Sequence, residues 1–297
     1  MFNNILGNQE IKELLINAVK SGKESHSYLF VGQEGIGKKI IAKEFAKMIL
    51  CTDKENKYCN KCKSCIEFNG GNNPDFKIIE PDGNSLKIEQ IREFENSVAE
   101  KPIISNKKVY IINDSDKMTQ EAQNSLLKTL EEPPEYVTII LIGSNESAYL
   151  DTIKSRCMVL HFKKIVDDDI KEYLKNNYKT DIENPIMLEA FQGSIGKAIE
   201  LLDKQEEYEQ IENVILNLQK EDKIDLLNNA EPIYKAKDDK FEMLDFINII
   251  LLNLAKKNGK YANCIDIVED TKKRLKSNAN YDMSIDNMLL KLWEQVN

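Results

Sequence analysis

Apolar positions change their period a little past the middle of the chain, and the change separates two kinds of structure. Up to about residue 165, short apolar runs alternate with stretches of helical spacing. Ser27-Tyr28-Leu29-Phe30-Val31 is a continuous run of strand type. Lys38 to Leu50 carries Ile40, Ile41, Phe45 and Met48 at helical spacing. Further strands are expected at Phe76–Glu80, Val109–Asn113, Val137–Ile142 and Met158–Phe162, with helices such as Ile88–Ala99 and Gln120–Leu130 between them. Pro133-Pro134 stops the second of these helices before the fourth strand. Such alternation implies a parallel sheet with helices on both faces.

After about Val166 the strand signals stop. Val166–Asn177, Pro185–Gln192 and Ile195–Leu202 read as three short helices. From about Glu206 the pattern stays helical, with polar breaks near Glu221-Asp222 and Asn258-Gly259. The expected layout is an α/β domain over 1–165, a small helical domain over 166–205 and an all-α domain over 206–297. No internal repeat or low-complexity segment interrupts it.

Composition narrows the class of partner. The chain has 297 residues, 31% charged and 41% hydrophobic, as in ordinary globular proteins. No apolar run reaches the length of a membrane span, and Met1-Phe2-Asn3-Asn4-Ile5 lacks the layout of a signal peptide. A cytoplasmic protein without membrane contact is expected. The net charge of −9 argues against sequence-independent coating of DNA. Lys272-Lys273-Arg274-Leu275-Lys276 is a basic run, read here as a solvated helix face.

The chemistry is concentrated after the first strand. Gly32-Gln33-Glu34-Gly35-Ile36-Gly37-Lys38 fits the G-x-x-x-x-G-K phosphate loop, placed between a strand and a helix as that motif requires. Gly32, Gly35, Gly37 and Lys38 are the candidate nucleotide-binding residues. The next position, normally Ser or Thr and a magnesium ligand, is Lys39. In Ile111-Ile112-Asn113-Asp114-Ser115-Asp116, Asn113 stands where a metal-binding Asp is expected and Asp114 where a catalytic Glu is expected. The frame is that of an ATPase that has lost part of its chemistry, so weak nucleotide binding at most is expected, with negligible hydrolysis.

Lys108 to Thr119, Asn124-Ser125-Leu126-Leu127-Lys128-Thr129-Leu130-Glu131-Glu132-Pro133-Pro134 and Ser155-Arg156-Cys157 together resemble the AAA+ subunits of the bacterial replicative clamp loader. Ser25-His26-Ser27-Tyr28-Leu29-Phe30 and Asn73-Pro74-Asp75-Phe76 agree, except that Asn73 replaces the family's His. The resemblance covers residues 1 to about 200. It implies an AAA+ P-loop domain, a small helical lid domain and an all-α C-terminal collar domain. It also implies a hetero-oligomeric ring with gamma or tau and delta subunits, which places a sliding clamp on primed DNA as part of the DNA polymerase III holoenzyme. The family contains ATPase subunits and a subunit with a degenerate site. Gly196, in Gly193-Ser194-Ile195-Gly196-Lys197-Ala198, stands where the ATPases carry a second sensor arginine. Lys39, Asn113 and Gly196 together point to the non-hydrolysing subunit, with an active gamma- or tau-like ATPase as the alternative. A P-loop enzyme outside replication, such as a nucleoside kinase, would need an acceptor pocket and a basic lid that the sequence does not offer. An AAA+ protein of recombination or transcription is disfavoured by the cysteine module. No two-metal carboxylate site for polymerisation is evident.

Cys51, Cys59, Cys62 and Cys65 are spaced C-x₇-C-x₂-C-x₂-C. Four thiolates in so short a stretch suit tetrahedral structural Zn²⁺, and the resemblance implies such a module after the P-loop helix. Lys54, Lys57, Lys61 and Lys63 would partly offset the charge of a Zn–Cys₄ centre. An iron–sulfur cluster uses similar spacing, and disulfides suit an oxidising compartment rather than this one. Cys157 and Cys264 are expected as buried free thiols, and His26 and His161 as packed structural residues. Arg156 read alone is a surface ion pair. The resemblance implies instead an arginine finger that acts in trans at a neighbour's ATP site.

Overall fold

In the computed structural model, residues 2, 5–53, 55 and 58–297 are described. They form two compact units, residues 1–172 with 193–196, and residues 173–192 with 197–297.

The first unit holds five parallel strands in the order β2-β3-β4-β1-β5. In chain order its elements are α1 (Gln9–Ser21), β1 (Ser27–Val31), α2 (Lys38–Leu50), α3 (Lys63–Asn69), β2 (Phe76–Ile79), α4 (Ile88–Val98), β3 (Lys108–Ile112), α5 (Gln120–Glu131), β4 (Val137–Gly143), α6 (Asp151–Lys154) and β5 (Met158–His161). β1, β3 and β4 are buried along their whole length, as strands covered on both faces must be.

Strand pleating divides the apolar residues between two cores. Tyr28, Phe30, Ile111, Ile140 and Ile142 pack with Leu15 and Val19 of α1 and with Ile41 and Phe45 of α2. Leu29, Val31, Tyr110, Ile112, Ile139 and Leu141 pack with Ile91 and Phe94 of α4 and with Leu126 and Leu130 of α5. Each fully buried Leu, Ile or Phe contributes about 1.5–3 kcal/mol of hydrophobic stabilisation, so the sheet needs both helical layers. The expected strands and helices lie within a residue or two of these bounds. No expectation had placed α1 or α3. α1 ends at Gly22, whose φ of 64° suits glycine.

The remaining helices are α7 (Asp167–Tyr178), α8 (Pro185–Phe191), α9 (Ile195–Asp203), α10 (Gln205–Leu216), α11 (Lys223–Asn229), α12 (Glu231–Lys235), α13 (Lys240–Lys257), α14 (Cys264–Lys276) and α15 (Tyr281–Val296). α13 is the longest of them, and Met243, Leu244, Phe246, Ile247, Ile250 and Leu251 are buried. The expected polar breaks are present. Asp222 caps α11 by accepting from the N–H groups of Ile224 and Asp225, and Asn258 follows α13. The basic run lies on α14, where two of its four charges are paired within the chain and Lys272 is not on a solvated face. Lys272 is buried and donates to Asp245 and Glu269, each at 2.6 Å, and Arg274 pairs with Asp270 at 3.1 Å. Among the described residues no helix is long and apolar enough to cross a membrane.

Candidate functional site

β1 runs directly into the glycine loop, and the loop opens α2. Gly35 and Gly37 have φ of 73° and 92°, the left-handed region that glycine enters without strain. Successive left-handed turns at a helix start aim backbone N–H groups at one point, which makes a cradle for an anion. Lys38 is buried beneath the loop, and its ammonium donates to the carbonyls of Gly32 at 2.5 Å and Gln33 at 2.6 Å. Burial pushes its pKa down, opposed by the nearby charges of Glu34, Asp116 and Asp114. The sequence-predicted residues Gly32, Gly35, Gly37 and Lys38 thus come together as one loop.

Lys39 is held by a carboxylate. Its ammonium lies 2.5 Å from Oε1 of Glu80, the residue that follows β2. Asn113, which follows β3, approaches the same oxygen with Nδ2 at 3.4 Å. The hydrogen bond from Lys39 holds the Glu80 carboxyl below the usual carboxylate range, helped by the charges of Lys39 and Lys43. Asp114 has a φ of 49° and turns to Lys117 at 3.2 Å. Asp116 accepts from Ser144 N–H at 3.0 Å, Ser144 Oγ at 2.9 Å and Asn145 N–H at 3.0 Å, so it braces the end of β4. The sequence reading missed Glu80. The available signal was a carboxylate at the carboxyl end of a strand near the loop, where open α/β sheets place their chemistry.

Residues 193–196 return to this loop. The N–H of Gly196 donates to the carbonyl of Gly35 at 3.0 Å. A Cβ on Gly196 would lie 2.9 Å from Cα of Gly35, closer than side chains approach a backbone. Gly193, with φ of 75°, is held as closely, since a Cβ there would lie 2.6 Å from Cβ of Lys164. Position 196, where the resemblance implies a second sensor arginine in the ATPases, is thus closed by backbone contact.

Arg156 follows α6. Its guanidinium donates to Oε1 of Glu131 at 2.6 Å and to the carbonyl of Thr152 at 2.8 Å. This is the ion pair that the residue read alone suggests, and it stays partly exposed. The turn carrying Arg156 is fixed by Gln123 of α5, which is buried. Gln123 donates to the carbonyl of Ala148 at 2.9 Å and accepts from the N–H of Leu150 at 3.0 Å. Neither Glu131 nor Gln123 was singled out from sequence.

The four cysteines converge. The sulfurs of Cys51, Cys59, Cys62 and Cys65 all lie within 4.8 Å of one another, and Cys51 and Cys59 are 3.6 Å apart. A tetrahedron with Zn–S of about 2.3 Å needs S···S separations of about 3.8 Å, so the set fits zinc. N–H groups of Cys62 and Cys65 approach the sulfurs of Cys59 and Cys62 at 3.3 and 3.4 Å, donors that would soften thiolate charge. Lys61 and Lys63 are exposed beside the cluster, while Lys54 and Lys57 lie outside the described residues.

The cysteine module is tied to the sheet by polar groups. Asn73 donates to the carbonyl of Ser64 at 2.9 Å, and Ser64 shares a hydrogen bond with Ser105 at 2.8 Å. Asp75 is buried and accepts from the N–H groups of Ile103, Ile104 and Ser105 at 2.6–2.8 Å. Asp75→Ala leaves three donors without their acceptor, the Ser105 N–H among them buried, and is expected to cost about 2 kcal/mol of stability, read from a urea unfolding midpoint. A loss below about 0.5 kcal/mol would remove this anchor from the account.

Three expectations need revision. His161 is exposed rather than packed, because it closes an edge strand, and its Nε2 lies 2.8 Å from Glu146. Cys157 is half-buried, although burial pushes its thiol up to about 12. Cys264 is buried as expected, with its thiol pushed up to about 11. His26 is also exposed rather than packed, with Nδ1 at 3.2 Å from the carbonyl of Val137.

Residues 7–166 match the family model described as DNA polymerase III, delta subunit. Over 164 residues the chain is 38% identical to the DNA polymerase III subunit delta' of Bacillus subtilis, covering 55% of this chain and 50% of that protein. It is 35% identical over 211 residues to the DNA polymerase III subunit tau/gamma of Haemophilus influenzae, covering 68% of this chain and 30% of that protein. The matches therefore span half or less of these relatives. A gamma-subunit-related protein of Thermotoga maritima superposes with a TM-score of 0.48 at 18% identity, covering 95% of this chain and 99% of that one.

Proposed function

The chain belongs to the DNA polymerase III delta subunit family, and on that premise we propose that it is a non-hydrolysing, delta-prime-type member of a clamp-loader ring. One observation carries the choice between a silent and an active site. The position of the magnesium-binding hydroxyl is Lys39, whose ammonium is paired with Glu80 at 2.5 Å, and the accompanying carboxylate is replaced by Asn113. A cation on a side chain cannot be exchanged for Mg²⁺ while it holds that carboxylate. An amide brings no charge to attract the metal. The loop that remains binds nucleotide weakly at most.

In this reading the chain works in the cytoplasm with gamma or tau and delta subunits, and the ring opens a sliding clamp and sets it on primed DNA. Residues 1–165 act as the AAA+ domain, 166–205 as its lid and 206–297 as a collar against the partners. Arg156 serves the ATP site of the neighbouring subunit. Cys51, Cys59, Cys62 and Cys65 hold a structural zinc with no open position for water, so the metal contributes folding free energy and no reaction step. Polymerisation belongs to another subunit of the holoenzyme.

Phosphate release by the isolated chain tests the assignment. The expected result is no turnover above background with ATP and Mg²⁺. A rate equal to that of an intact clamp-loader ATPase would establish the gamma- or tau-like alternative, which the Haemophilus relative keeps in view.

A further inference from the structure

We propose that the phosphate loop takes a nucleoside polyphosphate without a divalent cation, with Lys39 supplying the positive charge that a metal supplies in an intact site. The proposal rests on the reading of this chain as the non-hydrolysing subunit and names the ligand state of its site.

The anion-binding half of the site is complete. Gly35 and Gly37 hold the left-handed turns, α2 presents its N-terminus, and Lys38 waits on two loop carbonyls at 2.5 and 2.6 Å. Those carbonyls are neutral partners. A phosphate oxygen is a stronger acceptor for an ammonium, so a ligand can draw Lys38 away from them.

The cation-binding half has been rebuilt around a covalently attached charge. Lys39 is the second residue of α2, directly after Lys38. Its side chain is 40% exposed and that of Glu80 is 52% exposed, so the pair holds the ammonium in place without burying it. Exposed pairs of this kind are weak, which leaves the ammonium free to share itself with an incoming phosphate. Asn113 donates to the same Glu80 oxygen and so fixes the carboxylate on the Lys39 side. A divalent cation entering here would meet the Lys39 ammonium at close range and find the Glu80 carboxylate already engaged.

The consequence is a ligand preference opposite to that of an intact site. Mg²⁺ and Lys39 compete for the same phosphate oxygens, so the metal-free polyphosphate is the better ligand. Two ammonium groups and a helix N-terminus then bind it, but nothing polarises a water, which keeps the site silent.

Calorimetric titration of the full chain with ATP, in EDTA and in excess Mg²⁺, tests this. The expected result is measurable binding in EDTA and an affinity unchanged or several-fold weaker in Mg²⁺. Lys39→Thr should weaken binding in EDTA about tenfold, the loss of one nearby charge. Glu80→Gln should tighten it several-fold by freeing the ammonium, an opposite shift that a folding defect would not produce. No binding in EDTA, an affinity that rises with Mg²⁺, or equal affinities of wild type and Lys39→Thr would each overturn the proposal. Loss of binding alone leaves the non-hydrolysing reading intact, whereas phosphate release by the free chain in Mg²⁺ overturns that reading itself.

Discussion

Replacing Arg156 with alanine is expected to leave the isolated chain folded and to lower ATP turnover by about 10³-fold at one site of an assembled clamp-loader ring. An arginine finger fixes a positive charge where negative charge develops on the transferred phosphoryl group, and its removal typically costs that much. A thousandfold corresponds to about 4 kcal/mol of transition-state stabilisation. In the free chain the guanidinium is held by Glu131 at 2.6 Å, with side chains 33% and 50% exposed. Exposed pairs contribute about 0–1 kcal/mol, so leaving Glu131 costs little beside the gain at the phosphate. Lysine should not rescue, because a compact ammonium lacks the planar fork of donors. The measurement compares clamp- and DNA-stimulated ATPase of wild-type and Arg156→Ala rings of equal assembly. Equal rates would leave Arg156 as the partner of Glu131 and nothing more.

The second large effect concerns the cysteines. Cys62→Ser is expected to abolish stoichiometric zinc and to unfold residues 58–65 while the sheet persists. Structural zinc in small modules supplies about 10–16 kcal/mol of binding free energy at neutral pH, and that free energy is folding free energy. The module also anchors through Ser64, Ser105 and Asn73 to the sheet, which has its own two cores, so the loss should stay local. Metal analysis gives the first readout. Limited trypsin digestion gives the second, since Lys61 and Lys63 should become cleavage sites only in the variant. Iron with sulfide in the wild type, or fresh protein without metal, would refute the zinc assignment. Unchanged digestion would show that the metal does not order the segment.

What the sequence made legible was whatever is encoded locally. The run from Ser27 to Val31 into three glycines announces a strand, a phosphate loop and a helix, because each depends on neighbours a few residues away. The cysteine centre is legible for the same reason, with all ligands between 51 and 65. Pairings across the fold are not. Lys39 meets Glu80 over a separation of 41 residues, and Arg156 meets Glu131 over 25. No periodicity reports such a meeting. α1 was missed although its apolar face covers the sheet beside α2, since no strand or glycine motif precedes it to mark its start. His161 was misjudged because alternation along β5 says nothing about that strand lying at the edge of the sheet.

In the proposed reading of a silent site, the contact between Gly196 and Gly35 makes that silence hard to reverse by single steps. Lys39→Thr and Asn113→Asp would each restore one metal ligand and could be introduced in either order. Any side chain at 196, arginine included, would start 2.9 Å from the loop's own Cα and push against the cradle it is meant to serve. Moving residues 193–196 away to admit it also breaks the Gly196 to Gly35 hydrogen bond and shifts Gly193, itself seated on Lys164. The first change on the route back to an arginine there is thus the one with an immediate penalty. On that proposal the backbone closure acts as a ratchet, holding the nucleotide site in its lapsed state even where the metal ligands it is proposed to have lost lie one substitution away.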